Sequence, residues 1–143
     1  MSQTLRDIMT TNVVSVSPQQ SIQEAARLMR EHNVGALPVV ENGQLKGIIT
    51  DRDITIRSTA QGQEDNTPVS QVMSSSTVEA SPDMDVHEAA QLMAQHQIRR
   101  LPVVENNRLV GMVALGDLAT ENIYQDEAQE ALADISEPSE PNL

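Results

Sequence analysis

Two short stretches carry the side chains of this chain best suited to holding a small polar molecule. They are Gly47-Ile48-Ile49-Thr50-Asp51-Arg52-Asp53 and Gly111-Met112-Val113-Ala114-Leu115-Gly116-Asp117. In the first, a short apolar run with β-branched residues leads into Thr50, a residue type that caps helices. The stretch therefore reads as a strand handing over to a helix. Such a join leaves backbone N–H groups without helical partners, and these can hold a phosphate or a ribose hydroxyl. The second stretch rebuilds the same corner, with Asp117 in the place of Asp53.

The corners recur because the chain repeats. Aligning Met9 with Met73 places Pro18 on Pro82, Glu24 on Glu88, Met29 on Met93, Pro38 on Pro102, Gly47 on Gly111 and Asp53 on Asp117, with a constant offset of 64 residues and no gap. Roughly 20 of about 50 aligned positions are identical, which marks a tandem duplication. A half of about 60 residues is marginal alone, so the two are expected to bury their sheets against each other.

The elements that position the corners follow in the same order twice. Residues 4–9 and 67–73 are expected to form a short helical turn, with Thr4 and Thr67 as N-cap candidates and Pro68 at the first helical position. A brief strand, Val13-Val14-Ser15-Val16 or Thr77-Val78-Glu79-Ala80, is stopped by Ser-Pro. The main helix opens on capping-box patterns, Ser21-x-x-Glu24 and Asp85-x-x-Glu88. Its apolar face is Ile22, Ala25, Ala26 and Met29, or Val86, Ala89, Ala90 and Met93, and Asn33 suits a left-handed C-cap. Leu37-Pro38-Val39-Val40 and the strand ending at Ile49 are joined across Asn42-Gly43, a hairpin signal that Asn106-Asn107 replaces in the second half. Pro38 and Pro102 belong at a strand start or edge. A second helix leaves each corner, over residues 51–59 and 115–122. The expected division is a first repeat at 1–60, a polar linker at 61–68, a second repeat at 69–124 and an acidic tail at 125–143. Within the tail, Ala128, Leu132 and Ile135 fit one short amphipathic helix, and the end reads as disordered.

Composition removes several functions. The chain has 143 residues, a formal net charge of −12, no Cys, and a single Tyr as its only aromatic residue. The charge argues against nucleic acid and anionic membrane surfaces as general partners. Without Cys there is no disulfide, thiolate metal site or cysteine nucleophile. No apolar run approaches the roughly 18 residues of a membrane span. The first ten residues lack the apolar core of a signal peptide, which makes a cytoplasmic address the default. The core must be aliphatic, and a bound base would sit between aliphatic side chains.

The full series of strand, capped helix, Leu-Pro-Val-Val strand, hairpin, strand, Gly-h-h-x-x-x-Asp corner (h apolar) and helix, repeated in register, resembles the cystathionine-β-synthase (CBS) domain. Two in tandem resemble a stand-alone CBS pair, or Bateman module, from Leu5 to about Asn122. The resemblance implies an α/β fold of two β-α-β-β-α repeats related by a pseudo-two-fold axis, with small sheets facing each other. It implies clefts that take adenosine-containing ligands (AMP, ADP, ATP or S-adenosylmethionine), no required cofactor, no metal, and assembly as a homodimer. In the family pattern the Asp holds the ribose diol and the Thr or Ser faces the sugar or phosphate. The residues before Pro-Val-Val and the first strand wall the base. Carried over, the first site is Thr50, Arg52 and Asp53 with Ala36, Pro38 and Val14. Arg52 is placed there for an α-phosphate or a neighbouring carboxylate. The second site is Ala114 and Asp117 with Val78 and Pro102. Ala114 and Gly116 there replace the hydroxyl and the arginine, which weakens the case for phosphate. Arg99 and Arg100, just before Leu101-Pro102, are placed to serve either site.

Each of these residues has a plainer reading. Thr50-Asp51-Arg52-Asp53 is also a capping sequence, with Asp53 near the positive helix end. The second half loses the cap residue yet keeps the carboxylate, which favours a ligand. Arg99-Arg100 fits either a cleft or the balancing of an acidic surface. His32 and His96, at the ends of the main helices, suit the helix dipole better than a metal. The sequence thus points to a nucleotide-sensing module acting on an unidentified regulated protein, with a dimeric scaffold that binds no nucleotide as the alternative. An enzyme is the weakest reading, because there is no nucleophile elbow, no His-x-x-x-His and no defensible pairing of carboxylates.

Overall fold

The computed structural model describes residues 3–120. Its helices are α1 (Leu5–Ile8), α2 (Ile22–His32), α3 (Asp51–Asp53), α4 (Val86–His96) and α5 (Leu115–Thr120). Its strands are β1 (Ala36–Glu41), β2 (Gln44–Thr50), β3 (Arg100–Glu105) and β4 (Arg108–Ala114). Every main element of one half has its counterpart 64 residues on, α2 with α4, β1 with β3 and β2 with β4. The helix after the first corner continues from α3 through a wider π-type turn, Ile54–Ser58, into a tighter 3-10 turn, Thr59–Gln61. The last residues of the helix expected to reach 122, the amphipathic run on Ala128, Leu132 and Ile135, and the acidic tail lie outside the described residues.

The chain divides into two compact units, and these cross the order of the sequence. One unit, here the Asp53 unit, takes residues 12–77 with 106–109. The other, the Asp117 unit, takes residues 3–11, 78–105 and 110–120 of the described chain. Each unit thus receives the opening segment of the other sequence repeat. Thr10 pairs with Met112 in the Asp117 unit, and Ser74 pairs with Ile48 in the Asp53 unit. Leu5 is fully buried with Val86, Met93, Leu101 and Leu118. Its repeat partner Val69 is fully buried with Ile22, Leu37 and Ile49. Arg6 adds surface ion pairs, with Nη2 3.5 Å from Asp83 and 3.2 Å from Glu105.

Local chemistry explains the element ends. Asn33 and Gln97 cap α2 and α4 in the left-handed region, at φ 54° each; the glutamine was not foreseen. Asn42 and Gly43 (φ 55° and 81°) and Asn106 and Asn107 (φ 54° and 67°) turn the two hairpins, as a two-residue turn with both φ positive requires. The helix starts are simpler than expected. Ser21 accepts from the Glu24 amide at 3.1 Å, but the Glu24 carboxylate takes the Gln20 side chain instead of closing the box. Asp85 accepts from the His87 amide, one residue earlier than the box pattern requires. Thr67 is not the N-cap of the 3-10 turn Val69–Gln71. Pro68 holds that position, and the Thr67 hydroxyl donates back to the Glu64 carbonyl at 2.7 Å. The brief strands around Val14 and Val78 shrink to single parallel bridges, Val16 with Val39 and Ala80 with Val103.

Gly47 and Gly111 serve the crossing segments. A Cβ on Gly47 would lie 2.5 Å from the Ser74 carbonyl oxygen, and one on Gly111 would lie 2.5 Å from Met9 Sδ and 3.1 Å from the Thr10 carbonyl oxygen. A strand glycine is the residue that lets another backbone approach this closely.

Candidate functional site

Each corner is built by a strand that ends one residue before a helix begins. In the Asp53 unit, β2 pairs antiparallel with β1, which sets Ala36 opposite Thr50 and Pro38 opposite Ile48. The Thr50 backbone is extended, so its side chain sits where an N-cap must. Its Oγ1 accepts from the Asp53 amide at 3.0 Å, and its own amide donates to Asp53 Oδ2 at 3.0 Å. This reciprocal box satisfies two backbone donors and holds the carboxylate at the mouth of the helix. The Asp53 side chain is only 16% exposed. Its other oxygen, Oδ1, accepts no hydrogen bond from the described residues; Arg57 Nε lies 3.9 Å away.

The Asp117 corner keeps the backbone arrangement without the hydroxyl. The Ala114 amide donates to Asp117 Oδ2 at 2.9 Å, and Asp117 is half-buried. In both corners the first helical amide donates to a carbonyl just before the neighbouring strand, Asp51 to Gly35 at 2.9 Å and Leu115 to Arg99 at 2.8 Å. The side chains there differ. A Cβ on Gly35 would sit 3.1 Å from the Asp51 carboxylate, whereas in the other corner Leu115 is buried in the core and Arg99 is exposed.

The remaining candidates fall into the same two units. Pro38 is buried, and its carbonyl accepts from Val16 at 3.1 Å, which brings the half-buried Val14 segment beside β1. Pro102, also buried, accepts from Ala80 at 3.0 Å, with half-buried Val78 in the matching position. Arg100 is half-buried and Arg99 exposed. Arg52 is exposed as well; its amide donates to Asp51 Oδ1 at 2.7 Å, and its guanidinium has no partner among the described residues. The cation that does stand against the Asp53 carboxylate is Arg57, which lies outside the corner motif. Its spacing of four residues from Asp53 was the available signal, since such pairs share a helix face. Among the described residues no three His, Asp or Glu side chains gather into a metal-ligand set, and no helix is long and apolar enough to cross a membrane.

Comparison with known proteins agrees with this layout. The family model for the CBS domain matches residues 5–58 and again 69–123. The CBS domain-containing protein YhcV of Bacillus subtilis is 60% identical over 132 residues, covering 92% of this chain and 94% of that protein. A crystal structure of Hypoxic Response Protein I with two coordinated zinc ions superposes with a TM-score of 0.77 at 36% identity, over 83% of this chain and 98% of that one. The CBS domain pair of protein MJ0100, in complex with 5′-methylthioadenosine and S-adenosyl-L-methionine, superposes with a TM-score of 0.73 at 30% identity, over 84% and 95% of the two chains.

Proposed function

We propose, from the premise that this chain belongs to the CBS domain family, that it is a regulatory binding module for an adenosine-containing ligand. The ligand is held by its ribose at the Asp53 corner. One observation carries the reading: the Asp53 carboxylate is largely buried and pinned through Oδ2 to the Thr50 amide, while Oδ1 accepts no hydrogen bond from the described residues. Oδ1 is still reached by solvent, so a ligand can approach it and supply the donors that the protein does not. Vicinal hydroxyls do so with charge-assisted hydrogen bonds and no added charge. The adenosine moiety is supported by the related MJ0100 pair, whose ligands are both adenosine derivatives. Around the corner, Ala36, Pro38 and Val14 offer the aliphatic wall that a base needs in a chain without Phe or Trp. Binding at Asp117, walled by Val78 and Pro102 with Arg99 and Arg100 nearby, is the same proposal in a second position.

Calorimetry with AMP, ATP and S-adenosylmethionine on the wild type and on Asp53→Ala tests this. A charge-assisted contact contributes roughly 1.5–3 kcal/mol, so the variant is expected to bind about ten- to a hundredfold more weakly. Equal affinity in both proteins removes Asp53 from the site. Absence of binding to any of the three in the wild type rejects the ligand class.

A further inference from the structure

Arg57 stands in the π-type turn that follows the first corner, and its guanidinium is held from two sides. Nε faces Asp53 Oδ1 at 3.9 Å. Nη1 lies 3.4 Å from the carbonyl oxygens of both Val72 and Met73, so it donates to the segment that enters this unit from the second sequence repeat. The side chain is half-exposed, and Nη2 has no partner among the described residues.

These distances divide the labour on the carboxylate. The Thr50 amide occupies Oδ2 at 3.0 Å. A nitrogen at 3.9 Å attracts Oδ1 but is beyond hydrogen-bonding range, so both lone pairs of that oxygen stay open to a ligand. The two backbone carbonyls hold the guanidinium on one side of the carboxylate. The carboxylate is therefore braced at both oxygens and blocked at one. The repeat offers no equivalent at the other corner, where the position four residues after Asp117 is Glu121.

We infer that Arg57 is the positioning residue for Asp53, bracing the carboxylate so that Oδ1 faces a ligand's vicinal hydroxyls. The inference rests on the proposed ribose site and adds to it a residue that need not touch the ligand. A double-mutant cycle on the full chain separates the two claims, with AMP as the probe and affinity read by calorimetry. The variants are Arg57→Gln, Arg57→Lys, Asp53→Asn and Asp53→Asn with Arg57→Gln. Arg57→Gln is expected to weaken AMP about two- to fivefold, the scale of a half-exposed ion pair. Arg57→Lys should recover only part of this, because one amine cannot face Asp53 and reach two carbonyls with the geometry of a fork. In the Asp53→Asn background, Arg57→Gln should cost nothing further. If Arg57 merely ties the helix to Val72 and Met73, Arg57→Gln lowers the melting temperature and leaves affinity unchanged, which overturns the inference alone. An equal loss in both backgrounds, or tighter binding by Arg57→Gln, overturns it too. A wild type that does not bind AMP removes the ribose site and the brace together.

Discussion

The Asp53 and Asp117 corners share a backbone and the wall residues Val14/Val78 and Pro38/Pro102, and differ at Gly35/Arg99, Ala36/Arg100, Thr50/Ala114, Asp51/Leu115 and Arg52/Gly116. Both place a carboxylate oxygen about 3 Å from the amide that ends the strand, at 3.0 Å in one and 2.9 Å in the other. Thr50 closes the reciprocal half of the box; Ala114 cannot, and the corner forms all the same. The carboxylate is therefore what the backbone needs, and the hydroxyl is an addition. The surrounding charges are also placed differently. The Asp53 corner has Arg57 beside its acid and Gly35 before the neighbouring strand, where the Asp117 corner has Gly116 after its strand, Arg99 before β3 and Arg100 at the start of β3. A duplicated frame has been given two electrostatic settings, so the corners should differ in what they bind more than in how they fold.

Four substitutions break or sharpen that contrast. The largest effect on stability is expected at the glycines. Gly47→Ala drives a methyl against the Ser74 carbonyl, a backbone atom that cannot swing aside, and should cost about 1–3 kcal/mol in urea unfolding. Gly111→Ala first meets the flexible Met9 side chain and should cost clearly less; equal losses would show that the two crossing segments are held alike. Next is the cap. Thr50→Ala should lower stability by about 1 kcal/mol, as loss of an N-cap hydroxyl does, while leaving the Asp53 carboxylate on its amide. The smallest effect is the reverse change, Ala114→Ser, expected to raise stability by a few tenths of a kcal/mol to about 1 kcal/mol by completing the second box. If Ala114→Ser destabilises, the Asp117 corner is not a Thr50-type cap lacking its hydroxyl.

Much of this frame was legible in the sequence because it depends on local signals that the repeat states twice. Asn42-Gly43, the left-handed Asn33, the strand-to-helix corners and the α4 stripe of Val86, Ala89, Ala90 and Met93 all follow from neighbours within a few residues. The α2 stripe, by contrast, narrows to Ile22, Ala25 and Met29 and leaves Ala26 exposed. The exchange of opening segments was not legible. Leu5 and Val69 are both apolar residues at matching places in the repeat, and their own pattern fits either core. Only the packing decides that Leu5 joins Leu101 and that Val69 joins Leu37. Gly47 and Gly111 were visible as parts of a motif, but the cause, a second backbone pressed against the strand, depends on that exchange. Thr67 lost its expected cap because its hydroxyl found a nearer carbonyl at Glu64. Arg52 stood out by lying inside the motif, whereas the cation beside the carboxylate is the one a helical turn further on.

The central claim is that vicinal hydroxyls meet the open oxygen of Asp53, and the ligand can test it without altering the protein. Calorimetric titration of the wild type with AMP and with its 2′,3′-dideoxy analogue changes only those hydroxyls. The account predicts at least about tenfold weaker binding of the analogue, from the loss of a charge-assisted contact. Matching affinities for the two would contradict it.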